Sequence, residues 1–277
     1  MTTMFTATRP PIAPPSMLRA SGTIVWRNLI HIKRMPEMLL DVTVQSVMFV
    51  LLFAYVFGGS IQPPGGVDYK EFLLPGIMVQ TMIFTSAIAA MGLTNDLQKG
   101  IVDRLKSLPI SRSSVLVGRS ISSLIHSSIG IAVMGATGLL IGWRVRGSIA
   151  DAVLGFVLIL MFGFAMIWLG IFVGSLMRTV EAVQGFMFTV MFPLTFVANT
   201  FAPPEQMPSW LRFIAEWNPV SALTQACREL WGNGLPVASD SAWQLQHPIA
   251  ASIVWSVALT AIFAPLALAA YRRRSQD

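Results

Sequence analysis

A helix needs about 20 consecutive, mostly apolar residues to cross the hydrocarbon core of a bilayer. This chain supplies six such stretches, roughly 38–57, 72–94, 120–142, 152–174, 182–202 and 248–271, separated by charged or Pro/Gly-rich breaks. With 54% hydrophobic and 12% charged residues in 277, and a mean hydropathy of +0.66, little is left for a large soluble domain. The expected fold is therefore an all-α membrane protein with six transmembrane helices. A pI near 10.1 would point to nucleic acid in a soluble protein. Here the basic residues cluster beside apolar spans, so they read as topology signals and contacts to anionic lipid, and no nucleic-acid partner is expected.

The first residues, 1–16, carry Pro10, Pro11, Pro14 and Pro15 with no apolar run directly after them. They are expected to form a disordered tail and not a cleavable signal peptide. Residues 17–277 then form one transmembrane domain. In residues 18–35, Val25, Leu29 and Ile32 make an apolar stripe opposite Arg27, His31 and Arg34. That pattern suits an N-terminal interfacial helix lying on the membrane, cut off from the first span by Pro36.

Orientation follows from where Lys and Arg fall. With six spans both termini share a side, and that side carries 14 of the 19 basic residues. The opposite side has the other 5: Lys70, Arg144, Arg146, Arg212 and Arg228. Both termini and the loop 95–119 are thus expected in the cytoplasm. The placement expected is the cell inner (plasma) membrane, multi-pass.

That loop, NDLQKGIVDRLKSLPISRSSVLVGR, is a charged segment between two apolar ones. Asn95 can cap a helix, with Gln98 reaching back, and Pro109 stops it. Leu97, Ile101, Leu105 and Leu108 share one face, while Lys99, Asp103 and Lys106 share the other. Gly100 costs about 1 kcal/mol relative to alanine in a helix, so such a helix needs a partner. Periodicity leaves two readings open, a docking surface or a helix lying on lipid headgroups.

Residues 203–247 form the longest connection, on the outside by this topology. Trp210, Phe213, Ile214 and Trp217 suggest a short helix at the membrane surface. Asn218-Pro219 is a cap followed by proline at the first helical position. Val220, Leu223, Cys227 and Leu230 then continue one apolar face until Gly232-Asn233-Gly234. The pair reads as an external helical hairpin dipping into the outer leaflet before the last span.

The chain holds no GxxxxGK[ST], no HExxH and no dinucleotide fingerprint. No cofactor is therefore expected on it. His31, His126 and His247 lack a carboxylate at i±3 or i±4, so neither metal binding nor acid-base work is favoured. Cys227 is the sole cysteine, which excludes an intrachain disulfide. Ionisable groups inside spans are restricted to Asp41 and His126, both near span ends, and a proton path calls for more.

Gln45, Gln80, Gln184 and Asn199 place amides in spans, where either helix-to-helix hydrogen bonds or a substrate path would account for them. Phe188 sits in an aromatic and methionine-rich fifth span, whose surface suits lipid or helix contact and also a path for varied amphipathic molecules. Gln80, Gln184, Phe188 and Asn199 are accordingly the candidate path residues. Gly138/Gly142 and Gly170/Gly174 have the small-xxx-small spacing of close helix packing. Pro75, Pro193 and Pro265 imply kinks.

In Asn95-Asp96, Lys99-Gly100, Asp103-Arg104-Leu105, residues 107–112 (SLPISR) and Gly118-Arg119, the loop resembles the cytoplasmic loop of ABC-2 type exporter permeases, particularly the daunorubicin-resistance branch. Residues 217–230 (WNPVSALTQACREL) resemble the same family's segment before the last membrane helix. The resemblance spans roughly residues 18–274. It implies a permease subunit of an ATP-driven exporter for a hydrophobic or amphipathic small molecule or a lipid. It also implies a separate ABC ATPase subunit, carrying ATP and Mg, docked on Leu97, Ile101, Leu105 and Leu108 as on a coupling helix. A second permease copy or a related permease would complete the transporter. Polysaccharide export is the nearest variant, and a proton-coupled secondary carrier is the rival of a different class.

Overall fold

The computed structural model describes residues 36–57, 68–100, 112–234 and 237–274, together with Gly22, Val25, Trp26 and Ile30. Those four isolated residues are helical. The rest of the interfacial stretch and the tail 1–16 lie outside the described residues.

Helices occupy all six apolar stretches, and no strand occurs among the described residues. They are α1 (Pro36–Leu52, continued by a π-turn at Phe53–Phe57), α2 (Tyr69–Gln98), α3 (Arg112–Leu140), α4 (Ile149–Leu176), α5 (Val180–Phe196) and α9 (Pro248–Arg274). Between α5 and α9 run three short helices, α6 (Ser209–Glu216), α7 (Pro219–Leu230) and α8 (Trp243–Gln246). Four helices, α2, α3, α4 and α9, are long and apolar enough to cross a membrane by length and composition. The stretch expected to span 182–202 stops earlier, at Phe196, after 17 helical residues.

Helix starts are written into the sequence. Asp68 accepts from the Lys70 N–H at 3.0 Å, and Thr179 accepts from the Ala182 N–H at 3.2 Å. Ser148 and Asp151 form a reciprocal capping box at α4.

The core is organised around α4, which packs along both α2 and α9. Glycines on α4 permit that approach. A Cβ at Gly170 would run into the Ser86 carbonyl oxygen, and one at Gly174 would lie 2.5 Å from the Ala90 carbonyl oxygen, both on α2. Thr94 fastens the same contact by donating to the Gly174 carbonyl at 2.9 Å. The other spaced pair fails as a packing motif. Gly138 does press on Leu74, but Gly142 lies past the end of α3 with φ +107 and open space around it. It is a turn residue that needs the left-handed region.

The 95–98 segment is not the start of a helix. α2 runs through Asn95 to Gln98, so Asn95 lies in the last turn instead of capping a new helix. Gly100, at φ +65, ends α2 instead of interrupting a helix, with its N–H on the Leu97 carbonyl at 3.3 Å.

Candidate functional site: the tied end of α2 and the chamber under the short helices

At the end of the bundle where α2 stops, three junctions are tied together. Asp96 on α2 pairs with Arg119 on α3. Gly92, one turn before Asp96, leaves the room this needs, since a Cβ there would collide with the Arg119 guanidinium. Gln98 donates to the Arg178 carbonyl at 3.1 Å, between α4 and α5. Arg274, in the last turn of α9, donates to the final carbonyls of α4, Gly174 at 3.1 Å and Ser175 at 3.3 Å, and also to Met177. Those carbonyls have no partner within their own helix.

Of the four candidate docking residues, Leu97 is half-buried against the cluster of Leu93, Leu116, Ile171 and Tyr271. Ile101, Leu105 and Leu108 lie outside the described residues. The structure thus joins the two ends of the loop motif, Asn95-Asp96 and Gly118-Arg119, at the root of residues 101–111.

The four candidate path residues are not brought together. Gln80 is 2% exposed inside α2, and neither its Nε2 nor its Oε1 has a hydrogen-bond partner. Gln184 lies on the exposed side of α5. Phe188 is also exposed, its ring 5.9 Å from that of Phe84. The mixed aromatic and methionine surface of α5 separates by face: Phe186, Phe188, Phe192 and Phe196 are exposed, whereas Met187 and Met191 are buried, Met191 against Ser86 of α2. Asp41 lies in α1, and His126 is half-buried on α3.

Asn199 lines a cavity of about 220 Å³ at the opposite end from Asp96. This end is held by its own contacts. Arg146 donates to Glu71 at 2.6 Å, and the Arg146 N–H donates to the Trp231 carbonyl at 2.9 Å, joining the α3–α4 turn to α2 and α7. Asn218 caps α7 through the Val220 N–H at 2.9 Å and donates to Leu194 of α5 at 2.7 Å. Trp210 and Phe213 on α6 are 66% and 65% exposed. On the same helix, the hydrogen bond and charge of Glu216 hold the Arg212 guanidinium above its ordinary range, with Asp240 adding to the effect.

The apolar face expected on α7, with Val220, Leu223, Cys227 and Leu230, is buried. Its opposite face is buried too, and it is polar: Ser221, Thr224, Gln225 and Arg228. Ser221 accepts from the Asn199 N–H at 3.0 Å. Arg228, 1% exposed, donates from Nε to Phe72 O at 2.9 Å and from Nη2 to Asn199 O at 2.9 Å and Thr200 O at 3.2 Å. Its guanidinium carbon stands 3.6 Å from the Phe72 ring centroid. Sequence reasoning counted Arg228 only as an outside charge. The recurrence of polar residues at 221, 224, 225 and 228, at helical spacing, was the signal for a second buried face.

Fold and site define a multi-pass, all-helical membrane protein with one end tied by charged and polar groups and the other closed by short helices over a buried arginine. The model for the ABC-2 type transporter family matches residues 19–230, and the chain belongs to that family. It is 30% identical over 263 residues to the daunorubicin resistance ABC transporter permease protein DrrB1 of Streptomyces coeruleorubidus, covering 95% of this chain and 89% of that one. It is 26% identical over 240 residues to the probable doxorubicin resistance ABC transporter permease protein DrrC of Mycobacterium tuberculosis (strain ATCC 25618 / H37Rv), covering 84% and 80%. The probable multidrug ABC transporter permease YbhR of Escherichia coli (strain K12) is 22% identical over 183 residues, covering 65% of this chain and 49% of that one.

Proposed function

We propose that this chain is the permease subunit of an ATP-driven exporter that moves a hydrophobic or amphipathic small molecule or lipid out of the cell. The observation that carries the reading is the match to a drug-resistance permease along 95% of the chain. All six apolar helices cross the membrane in this reading. The 17 residues of α5 stand at the lower limit of a span, and α1 with its π-turn covers residues 36–57, long enough at about 1.5 Å per residue. Both termini and residues 101–111 face the cytoplasm of the inner (plasma) membrane, and α6 and α7 form the external hairpin in the outer leaflet.

ATP and Mg belong to a separate ABC ATPase. It docks on Ile101, Leu105 and Leu108, the part of the expected apolar stripe beyond the end of α2, and on the interfacial helix 18–35. Because Asp96 and Arg119 clamp α2 to α3 at the root of that segment, a push on the segment moves two spans as one body. A second permease, identical or related, faces the first and encloses the path. Gln184 and the exposed phenylalanines of α5, Phe188 among them, serve that path.

The test is uptake of an amphipathic fluorescent dye into inside-out vesicles from cells producing this chain with an ABC ATPase partner. Uptake that requires ATP and this chain, and survives collapse of the proton gradient, is expected. Uptake that follows the proton gradient and ignores ATP contradicts the reading.

A further inference from the structure

A guanidinium has five N–H donors and one positive charge. Three donors of Arg228 go to the carbonyls of Phe72, Asn199 and Thr200. The remaining two are on Nη1, and no carboxylate among the described residues forms an ion pair with Arg228. Carbonyls and a ring face offset part of the cost of burying the charge, but a buried cation is ordinarily matched by an anion. The cavity of about 220 Å³ borders this same side chain. It has room for several waters, at about 30 Å³ each, or for one polyatomic anion.

A second observation stands beside the first. Asn199, 3% exposed, lines the cavity, and its side-chain Oδ1 is buried with no hydrogen-bond partner. Its backbone carbonyl accepts from Arg228 Nη2, and its side-chain nitrogen makes no hydrogen bond among the described residues. Gln225 adds a buried amide to the wall. Glu205 also lines the cavity, but its side chain is exposed, where water and salt screen it.

We propose that this cavity is an oxyanion site for a phosphate-type group. The phosphate oxygens accept from Arg228 Nη1 and from the Asn199 amide nitrogen on the cavity wall. Inorganic phosphate and the headgroup of phosphatidylglycerol share this chemistry. The site goes beyond the transport reading, since binding there needs neither ATP nor a partner subunit.

The experiment uses the full chain purified in neutral detergent. Its thermal unfolding is followed as inorganic phosphate is titrated against chloride at equal ionic strength. In parallel, lipid retained from phosphatidylcholine nanodiscs with and without phosphatidylglycerol is counted by native mass spectrometry. Asn199→Ala keeps the carbonyl that Arg228 uses and removes a side-chain amide with no partner, so its unfolding without ligand should match that of the parent. Arg228→Lys keeps the charge and loses the planar fork.

Stabilisation by phosphate identifies a soluble anion, and retention of phosphatidylglycerol without a phosphate effect identifies a lipid headgroup. In either case both variants should weaken binding at least tenfold. If neither ligand binds the parent, or if both variants bind as the parent does, the oxyanion site is wrong and Arg228 is only a clamp.

Discussion

Asp96 and Arg119, 23 residues apart in the chain, form an ion pair that ties the last turn of α2 to α3. Both side chains are partly exposed, so the pair itself is worth only about 0.5 kcal/mol. In the proposed exporter its importance is mechanical. It fixes the spacing of the two helices from which residues 101–111 emerge. Asp96→Ala and Arg119→Ala should therefore lower the midpoint of thermal unfolding by no more than a few degrees while reducing ATP-driven efflux severalfold. The exchange Asp96→Arg with Arg119→Asp should recover part of the loss, as read from efflux in a double-mutant cycle.

The α2–α4 contact predicts a sharp contrast between two glycines. Gly170→Val pushes a branched side chain into the Ser86 carbonyl and should destabilise the protein by about 1–3 kcal/mol or more. Gly185→Ala on α5 meets nothing within 4 Å and replaces a poor helix former, so the unfolding midpoint should stay or rise. Thermal unfolding of the two variants in one detergent checks this. Equal midpoints would contradict the packing described.

Much of this fold was legible in the sequence, because both burial in a membrane and helix capping are local properties. Asn218-Pro219 announced the start of α7, and the six apolar runs announced six helices. The failures were tertiary. Asn95 has the chemistry of a cap, yet the helix arriving from Tyr69 passes through it. Gly138 and Gly142 have packing spacing, but α3 ends between them at Leu140. The Arg228 cage joins residues up to 156 positions apart, which no window of sequence can contain. Gln80 remains as the sequence left it, a buried amide without a partner.

Topology is open to direct labelling. With Cys227→Ser as background, cysteine at Gly66 or Ser239 should react with a membrane-impermeant maleimide added to intact cells, and cysteine at Ser107 should not. Cys227 itself is fully buried, so the parent chain should label weakly even before that change. Labelling at Ser107 in sealed cells would invert the orientation argued from the 14 to 5 division of basic residues.

The purified chain alone should hydrolyse no ATP, since none of its segments has the sequence of a phosphate-binding loop. Specific turnover that survives removal of contaminating ATPases would overturn the division of labour between permease and ATPase.

The most direct test of that division is Leu105→Asp, with Lys99→Ala as its control. A carboxylate on the apolar docking face would be desolvated against a hydrophobic partner at a cost of about several kcal/mol, enough to abolish a docking contact, while the spans stay untouched. Lys99 is exposed where α2 ends, outside that apolar stripe. The measurement is co-purification of the ATPase together with substrate efflux, at matched amounts of permease in the membrane. Loss of both in Leu105→Asp, and near-parental values in Lys99→Ala, is the predicted result. Normal ATPase retention and efflux in Leu105→Asp would mean that residues 101–108 lie on lipid and couple nothing.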